Sequence, residues 1–587
     1  MAIQSDNPPE LHTWELWRGL NQQAGRSSID DDEEWWNENF FAIGSGNLRT
    51  CWGKSAPIYT APAGLTIRRM FFGFIGDITP LNGSPPPGQY GWMFLSDGTI
   101  DQVELNIGNP SGPHPVVHVG GAGTQVWNPI APQYWASAVV WRPRFLAGTV
   151  GQQGGVLFGS PNPTSSGATV GGLYAWDGST LSPPGSPAPD WLTDALETGT
   201  GPFTMPTNTF GSPSLPGIYA MEVFQSRLFV AGQDVISFSA PSNGADFSTT
   251  DGGGSFGYFG NKLTYTYTDL AASAGYLFVF GDSSIDVISD ITLSGSGSTS
   301  APFTTNFTYI NVDPQVGQRF PRPVGRISRY FQMFNGAGIF ECQGAEAREI
   351  GQKTTQIYQT LDTSQYLPTM CPATMFGFRV LLCNGRFTDT FGETRNLLLM
   401  WHPTLGNEFW SVASQANPTY PNDLTNIGAY EQDSVITPFG TDGTHLFQLF
   451  AQPDPALLKV LSTKLIRGQS LQQLTIKNWK RLYLEFYDNQ NVGVEIVGNF
   501  VTQGGGIPNG VQDVAFQLPP GTNTTSQIFP GFGGPGGGAG PIPVTNFEPW
   551  PLQAAGISAA VNIQSQSPDF VIQRLHLTSE QRTLWGA

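Results

Sequence analysis

Runs rich in Val, Ile, Phe, Tyr, Trp and Thr recur along most of the chain. They are separated by turn-forming pairs, Asp-Gly at 97, 177, 251 and 442 and Asn-Gly at 82, 243, 335, 384 and 509. These pairs accept the positive φ of tight hairpin turns. Helical spacing of apolar residues is confined to short stretches near 11–22, 29–39 and 352–362. The pattern predicts an all-β chain.

One hairpin pattern repeats. "RLFVAG", "YLFVFG", "RYFQMFNGAGIFEC" and "FRVLLCNG" each open an apolar strand that leads through a turn into another, and Leu228, Leu277, Phe331 and Val380 lie 49, 54 and 49 residues apart. A later copy, "THLFQLF" around Leu446, follows after 66 residues, and looser ones lie at 90–105 and 171–181. A period near 50 with about four strands per unit predicts β-propeller blades, whose inner strands are covered on both faces and so read as unbroken apolar runs. A set of unrelated hairpins in stacked sandwiches is the alternative. In the propeller reading Leu228, Val230, Leu277, Val279, Phe331, Ile339 and Leu381 form the core.

Near 455 the pattern changes. "LYLEFY" and "VGVEIVG" alternate cleanly, as half-buried antiparallel strands do. Three regions are therefore expected: an opening segment with short helices over 1–55, a β-propeller over 56–455 with inserted loops or a small subdomain at about 80–215, and a C-terminal antiparallel β-sandwich-like domain over 456–587. A Gly/Pro-rich stretch at 503–545 reads as a long loop between strands of that last domain.

Size and composition refine this picture. A chain of 587 residues is long enough for several self-sufficient cores. Charged residues make up 12%, about half the ordinary share of roughly 25%, so much of the surface is expected to be covered by partner subunits. The net charge of −18 excludes a protein that grips a phosphate backbone, though not one past which DNA slides. Cys51, Cys342, Cys371 and Cys383 show no CxxC spacing and are expected to be free thiols. The N-terminal residues do not read as a signal peptide, and no run of eighteen apolar residues predicts a membrane span.

Few stretches promise chemistry. His114 and His118 in "HPVVH" have zinc-like spacing, but Pro115 and the valines place them on a strand or loop, where they stand too far apart to share an ion. The acidic run Asp30, Asp31, Asp32, Glu33 and Glu34 after Ser27 and Ser28 reads as the capped first turn of a helix. Six basic residues, Lys459, Lys464, Arg467, Lys477, Lys480 and Arg481, occur with no acid between Asp454 and Glu485. They are candidates for a subunit interface with an acidic neighbour, or a solvated strand face. No nucleophile elbow, phosphate loop or HExxH motif stands in a fitting context, so no catalysis, metal or cofactor is expected.

The combination resembles the tail nozzle, or tail hub, proteins of short-tailed bacteriophages, including the packaged-DNA stabilisation proteins. Three places carry the resemblance: "SSIDDDEEWWNENFFAIGSGNLRTCWG", the hairpins "FQSRLFVAGQDVISFSAPSNGADFS" and "GYLFVFGDSSIDVIS" with "FNGAGIFECQGAEAREIGQKTTQIYQTL", and "KRLYLEFYDNQNVGVEIV". It covers 220–500 best. The resemblance implies a non-enzymatic virion subunit, made in the host cytoplasm. Six copies would form a ring that contacts a tail adaptor ring and fibres or spikes, with genomic double-stranded DNA crossing its lumen without tight binding. A polysaccharide-binding or hydrolysing propeller, and a baseplate or fibre component of a long tail, are the competing expectations.

Overall fold

A computed structural model describes residues 9–581 apart from 16, 24, 44–45, 76–87, 108–111, 130–135, 142–154, 162–171, 184–191, 193–217, 233–234, 258–266, 297–302, 314, 321–324, 328–329, 343–345, 406–408, 416–418, 433, 468–475, 491, 504–510 and 519–549. The fold is all-β: a β-propeller joined to a β-sandwich.

Among the described residues the propeller has seven four-stranded blades. Blade 1 runs from Ile67–Ile75 to Val116–His118, blade 2 from Ser137–Trp141 to Leu181–Ser182, and blade 3 from Ala220–Phe224 to Gly254–Gly257. Blade 4 runs from Tyr267–Ser273 to Thr304–Asp313, blade 5 from Gly325–Ile327 to Ala347–Glu349, and blade 6 from Thr369–Met375 to Trp410–Ala413. Blade 7 takes three strands from Asn426–Gln432, Val435–Thr441 and His445–Gln448, and its outer strand from Tyr59–Thr60 near the N-terminus. That outer strand closes the ring.

The repeated apolar run is the second strand of a blade, and alternate residues on it serve different neighbours. Leu277 and Val279 enter the core between blades 3 and 4, while Phe278 and Phe280 enter the core between blades 4 and 5. Leu381 faces blade 5, and Val380 and Leu382 face blade 7. With both faces buried, polar positions are excluded from the strand. All seven expected core residues are buried, at 3% exposure or less.

The structure corrects several expectations. "THLFQLF" is the third strand of blade 7, not the second. The second is Val435–Thr441, which accounts for the irregular 66-residue step. The region 80–215 is no inserted subdomain, because its described residues supply most of blades 1 and 2. The opening segment is not helical either. Residues 11–22 and 29–39 contribute the strands Glu10–Trp14 and Glu34–Glu38, whose pairing with distant strands overrides weak local propensity. Among the described residues, 352–362 alone of the expected helical stretches holds a helix, the short pieces Gln352–Thr354 and Thr355–Tyr358.

Those opening strands belong to the sandwich. In one sheet Phe570–Gln581 lies beside Lys477–Asp488, and on its other edge it pairs with both Glu10–Trp14 and Asn47–Thr50. In the other sheet Glu34–Glu38 adds to Lys459–Thr463, followed by Ser558–Ser565, Val494–Gln503 and Val511–Leu518. The last of these falls inside 503–545 and is a strand where a loop was expected. Its alternating Val514 and Phe516 are buried, and the rest of that stretch lies largely outside the described residues. Trp14, Phe40, Trp479, Phe500 and Phe570 fill the space between the sheets. Glu38 also pairs in parallel with Val412 of blade 6, so blade 6 and the second sandwich sheet form one continuous sheet.

Candidate functional site

Two concave regions follow from this architecture. The first is the propeller axis. The first strand of every blade faces it, and together they enclose a cavity of about 390 Å³. Its wall carries Arg69, Glu222, Asp269, Arg326 and Glu431 among largely apolar neighbours. Gly73 and Gly428 allow tight approach between blades. A Cβ at Gly428 would stand 2.6 Å from the Phe72 ring, and one at Gly73 would stand 2.7 Å from Val140. A cavity of this size suits a small molecule.

The second is a cleft of about 680 Å³ between blade 6 and the sandwich sheet that continues it. Its wall is the turn joining Phe378–Thr388 to Thr394–Trp401. Asp389 holds this turn, accepting hydrogen bonds from the Phe391 and Glu393 amides at 2.8 and 3.0 Å and from Arg395 Nε at 3.0 Å. Arg395 also forks onto Glu38, with Nη1 and Nη2 at 2.8 and 2.7 Å from its two oxygens. This bidentate bridge ties propeller to sandwich. Phe391 is left 62% exposed at the tip of the turn.

Sequence reasoning missed both regions. Lone charges inside apolar first strands, as in "IRRMFFGFI" and "YTDLAAS", mark the axis, and an aromatic in the turn "DTFGET" marks the cleft.

The six basic residues do not form one face. Lys459 and Lys477 are interior to the chain. Lys459 Nζ donates to the Asp454 carbonyl at 2.8 Å, and Lys477 pairs with Glu10. Lys464 binds Asp31 at 2.7 Å, and Lys480 binds Glu580 at 3.0 Å. Arg467 pairs in register with Ser558, and Arg481 is exposed. Lys459, Lys464, Lys477 and Lys480 are thus engaged within the chain, and among the described side chains of the six only Arg481 is exposed without a partner.

The acidic run is spent the same way. Asp32 meets Arg18 at 2.7 Å, Asp31 meets Lys464, and Glu33 meets Lys353. Glu34 is fully buried on its strand, and burial pushes its carboxyl up to about 8. Burial likewise lowers Lys459 to about 8 against the pull of Asp454, and lowers His402 to about 3.

His118, at the end of its strand, binds Asp101 at 2.6 Å, while His114 Nδ1 lies 2.9 Å from the Glu104 carbonyl oxygen. Among the described residues no group of three His, Cys, Asp or Glu side chains could hold a metal ion, and no helix is long and apolar enough to cross a membrane. The four cysteines are buried and form no disulfide.

No protein-family model matches the chain, and no curated protein matches it. Among solved structures, an ancestral GH74 enzyme is 11% identical over 70% of this chain and 61% of its own, with a TM-score of 0.27. Drosophila Plexin A in complex with Semaphorin 1b is 8% identical over 43% of this chain and 49% of its own, with a TM-score of 0.22. The match thus spans less than two thirds of either protein. At these TM-scores the likeness carries no argument about activity or partners.

Proposed function

We propose that the chain is a non-enzymatic structural subunit of the tail nozzle of a short-tailed bacteriophage, assembled in the host cytoplasm into the virion tail. Six copies close a ring that retains packaged DNA and lets it pass on ejection. The ring contacts a tail adaptor and fibres or spikes.

The observation that carries this reading is the way the chain is tied together. The propeller seam is latched by Tyr59–Thr60, and strands from both ends of the chain share one sandwich sheet. Pulling on either domain loads hydrogen-bonded ladders rather than linkers, which suits a part that contains a pressurised genome. On this reading the DNA path lies between copies, in the lumen of the ring, rather than along the propeller axis. The net charge of −18 suits a wall that repels phosphates and lets DNA slide.

Reconstruction of virions containing the chain tests this. A closed ring below the portal, with DNA density on its axis and more Asp and Glu than Lys and Arg facing it, is the expected result. Isolated copies, a basic lumen, or tight salt-sensitive binding of the purified protein to duplex DNA would reject it.

A further inference from the structure

The cleft between blade 6 and the sandwich has a floor as well as a wall. On the outer face of the second sandwich sheet, Ser462, Asn562 and Asn499 stand side by side across three strands, and Gln564 lies two residues along from Asn562. Their neighbours Leu461, Ile563 and Phe500 point the other way, into the sandwich core. Strand alternation therefore gathers the hydroxyl and amide groups on the cleft side.

Among the described residues, the side chains of Ser462, Asn499 and Gln564 have no hydrogen-bond partner within the chain. Asn562 accepts from Arg26 Nη2 at 2.7 Å through its Oδ1. That contact fixes its amide and leaves the Nδ2 donor free for a ligand.

Phe391 lines the same cleft, presented to solvent on a turn whose amides are pinned by Asp389, with its ring edge-on to Trp36 at 5.9 Å, and Trp36 is the strand partner of Ser462. Leu458 and Pro421 add apolar surface to the same cleft. A row of neutral donors and acceptors facing a pre-placed aromatic ring matches a molecule with an apolar face and hydroxyl edges. The 680 Å³ volume falls within the roughly 300–1,000 Å³ range of small-ligand sites.

Charge narrows the ligand further. Among the described lining residues Glu38, Asp389 and Glu393 outnumber the one cation, Arg395, which two of them already engage, and the Arg26 guanidinium that reaches the floor is spent on Asn562 and the Thr463 carbonyl. An anionic chain is repelled there and a neutral one is not.

We propose that this cleft binds a neutral oligosaccharide, stacked on Phe391 and hydrogen-bonded by Ser462, Asn499, Asn562 and Gln564. The proposal does not depend on ring assembly and is tested on the purified full chain.

Saturation-transfer NMR and calorimetry with neutral trisaccharides of glucose, mannose, galactose and N-acetylglucosamine, with trigalacturonate as the anionic control, measure it directly. At least one neutral trisaccharide is expected to bind one per chain. Phe391→Ala should weaken it about tenfold or more, and Asn499→Ala and Gln564→Ala several-fold each. All three side chains are at least partly exposed, so folding is retained, which thermal unfolding checks. The proposal is overturned if no neutral trisaccharide binds at about 10 mM, if trigalacturonate binds as well as the neutral sugars, or if binding survives both Phe391→Ala and Gln564→Ala unchanged.

Discussion

Tyr59 donates its hydroxyl to Asp101 Oδ2 at 2.6 Å across the seam where the propeller closes. Tyr59 stands on the N-terminal strand that completes blade 7, and Asp101 on the third strand of blade 1, where its other oxygen meets His118. The ring is thus sealed twice, by a two-residue ladder and by a buried side-chain bond.

Removing that bond leaves Asp101 underpaired in a buried place. Tyr59→Phe is expected to destabilise the fold by about 1–3 kcal/mol, read from urea or thermal unfolding. Unchanged stability would show that the ladder alone holds the seam.

Leu277 is fully buried between blades 3 and 4. Leu277→Ala should cost about 2–5 kcal/mol, toward the upper end because rigid sheets on both sides limit collapse of the cavity. Denaturant unfolding measures it, and a loss below about 1 kcal/mol would mean that the site repacks.

Glu34 gives a pH signature. Its folded carboxyl titrates near 8 and its unfolded one near 4.5, so between these values the folded state binds more protons and stability falls as pH rises. Glu34→Gln is expected to remove that decline, matching the parent near pH 5 and exceeding it near pH 8. Parallel stability profiles for the two proteins would contradict the assignment.

Arg395 joins two carboxylates that lie on different domains. Arg395→Met leaves Glu38 and Asp389 facing each other without a cation. A loss of roughly 1–3 kcal/mol is expected, moderated by the partial exposure of the guanidinium. Limited proteolysis should then cut first near the blade 6 turn. A cut elsewhere with unchanged stability would assign the joint to the parallel strand pairing instead.

Much of the propeller was legible because blade packing imposes a local rule. The second strands holding Leu228, Leu277, Phe331 and Val380 are buried on both faces, and unbroken apolar runs at a near-constant interval record that. Blades 1 and 2 were legible only as the loose copies at 90–105 and 171–181, because their strands are separated by long Gly- and Pro-rich connections that break the interval. The N-terminal part of the sandwich left no local mark. Thr13 and Trp14 become strand residues only by pairing with His576 and Leu575, more than 550 positions away. The intrachain partners of Lys464 and Lys477 were not legible, because a sequence shows charge without its partners, and Asp31 and Glu10 lie far upstream.

The pairing of Glu10–Trp14 with Phe570–Gln581 also sets a timetable. At about 5–20 residues per second, the ribosome makes the first strand roughly half a minute to two minutes before its partner exists. Throughout that interval Trp14 and Phe40, both buried in the finished protein, lack their final cover, and for an earlier part of it the seam strand at Tyr59 waits for His445 and Leu446. Final assembly of the sandwich therefore waits until Phe570–Gln581 has been made. A ribosome that stalls before the last strand leaves Glu10–Trp14 and one edge of Lys477–Asp488 unpaired, an open sheet edge of the kind that templates aggregation.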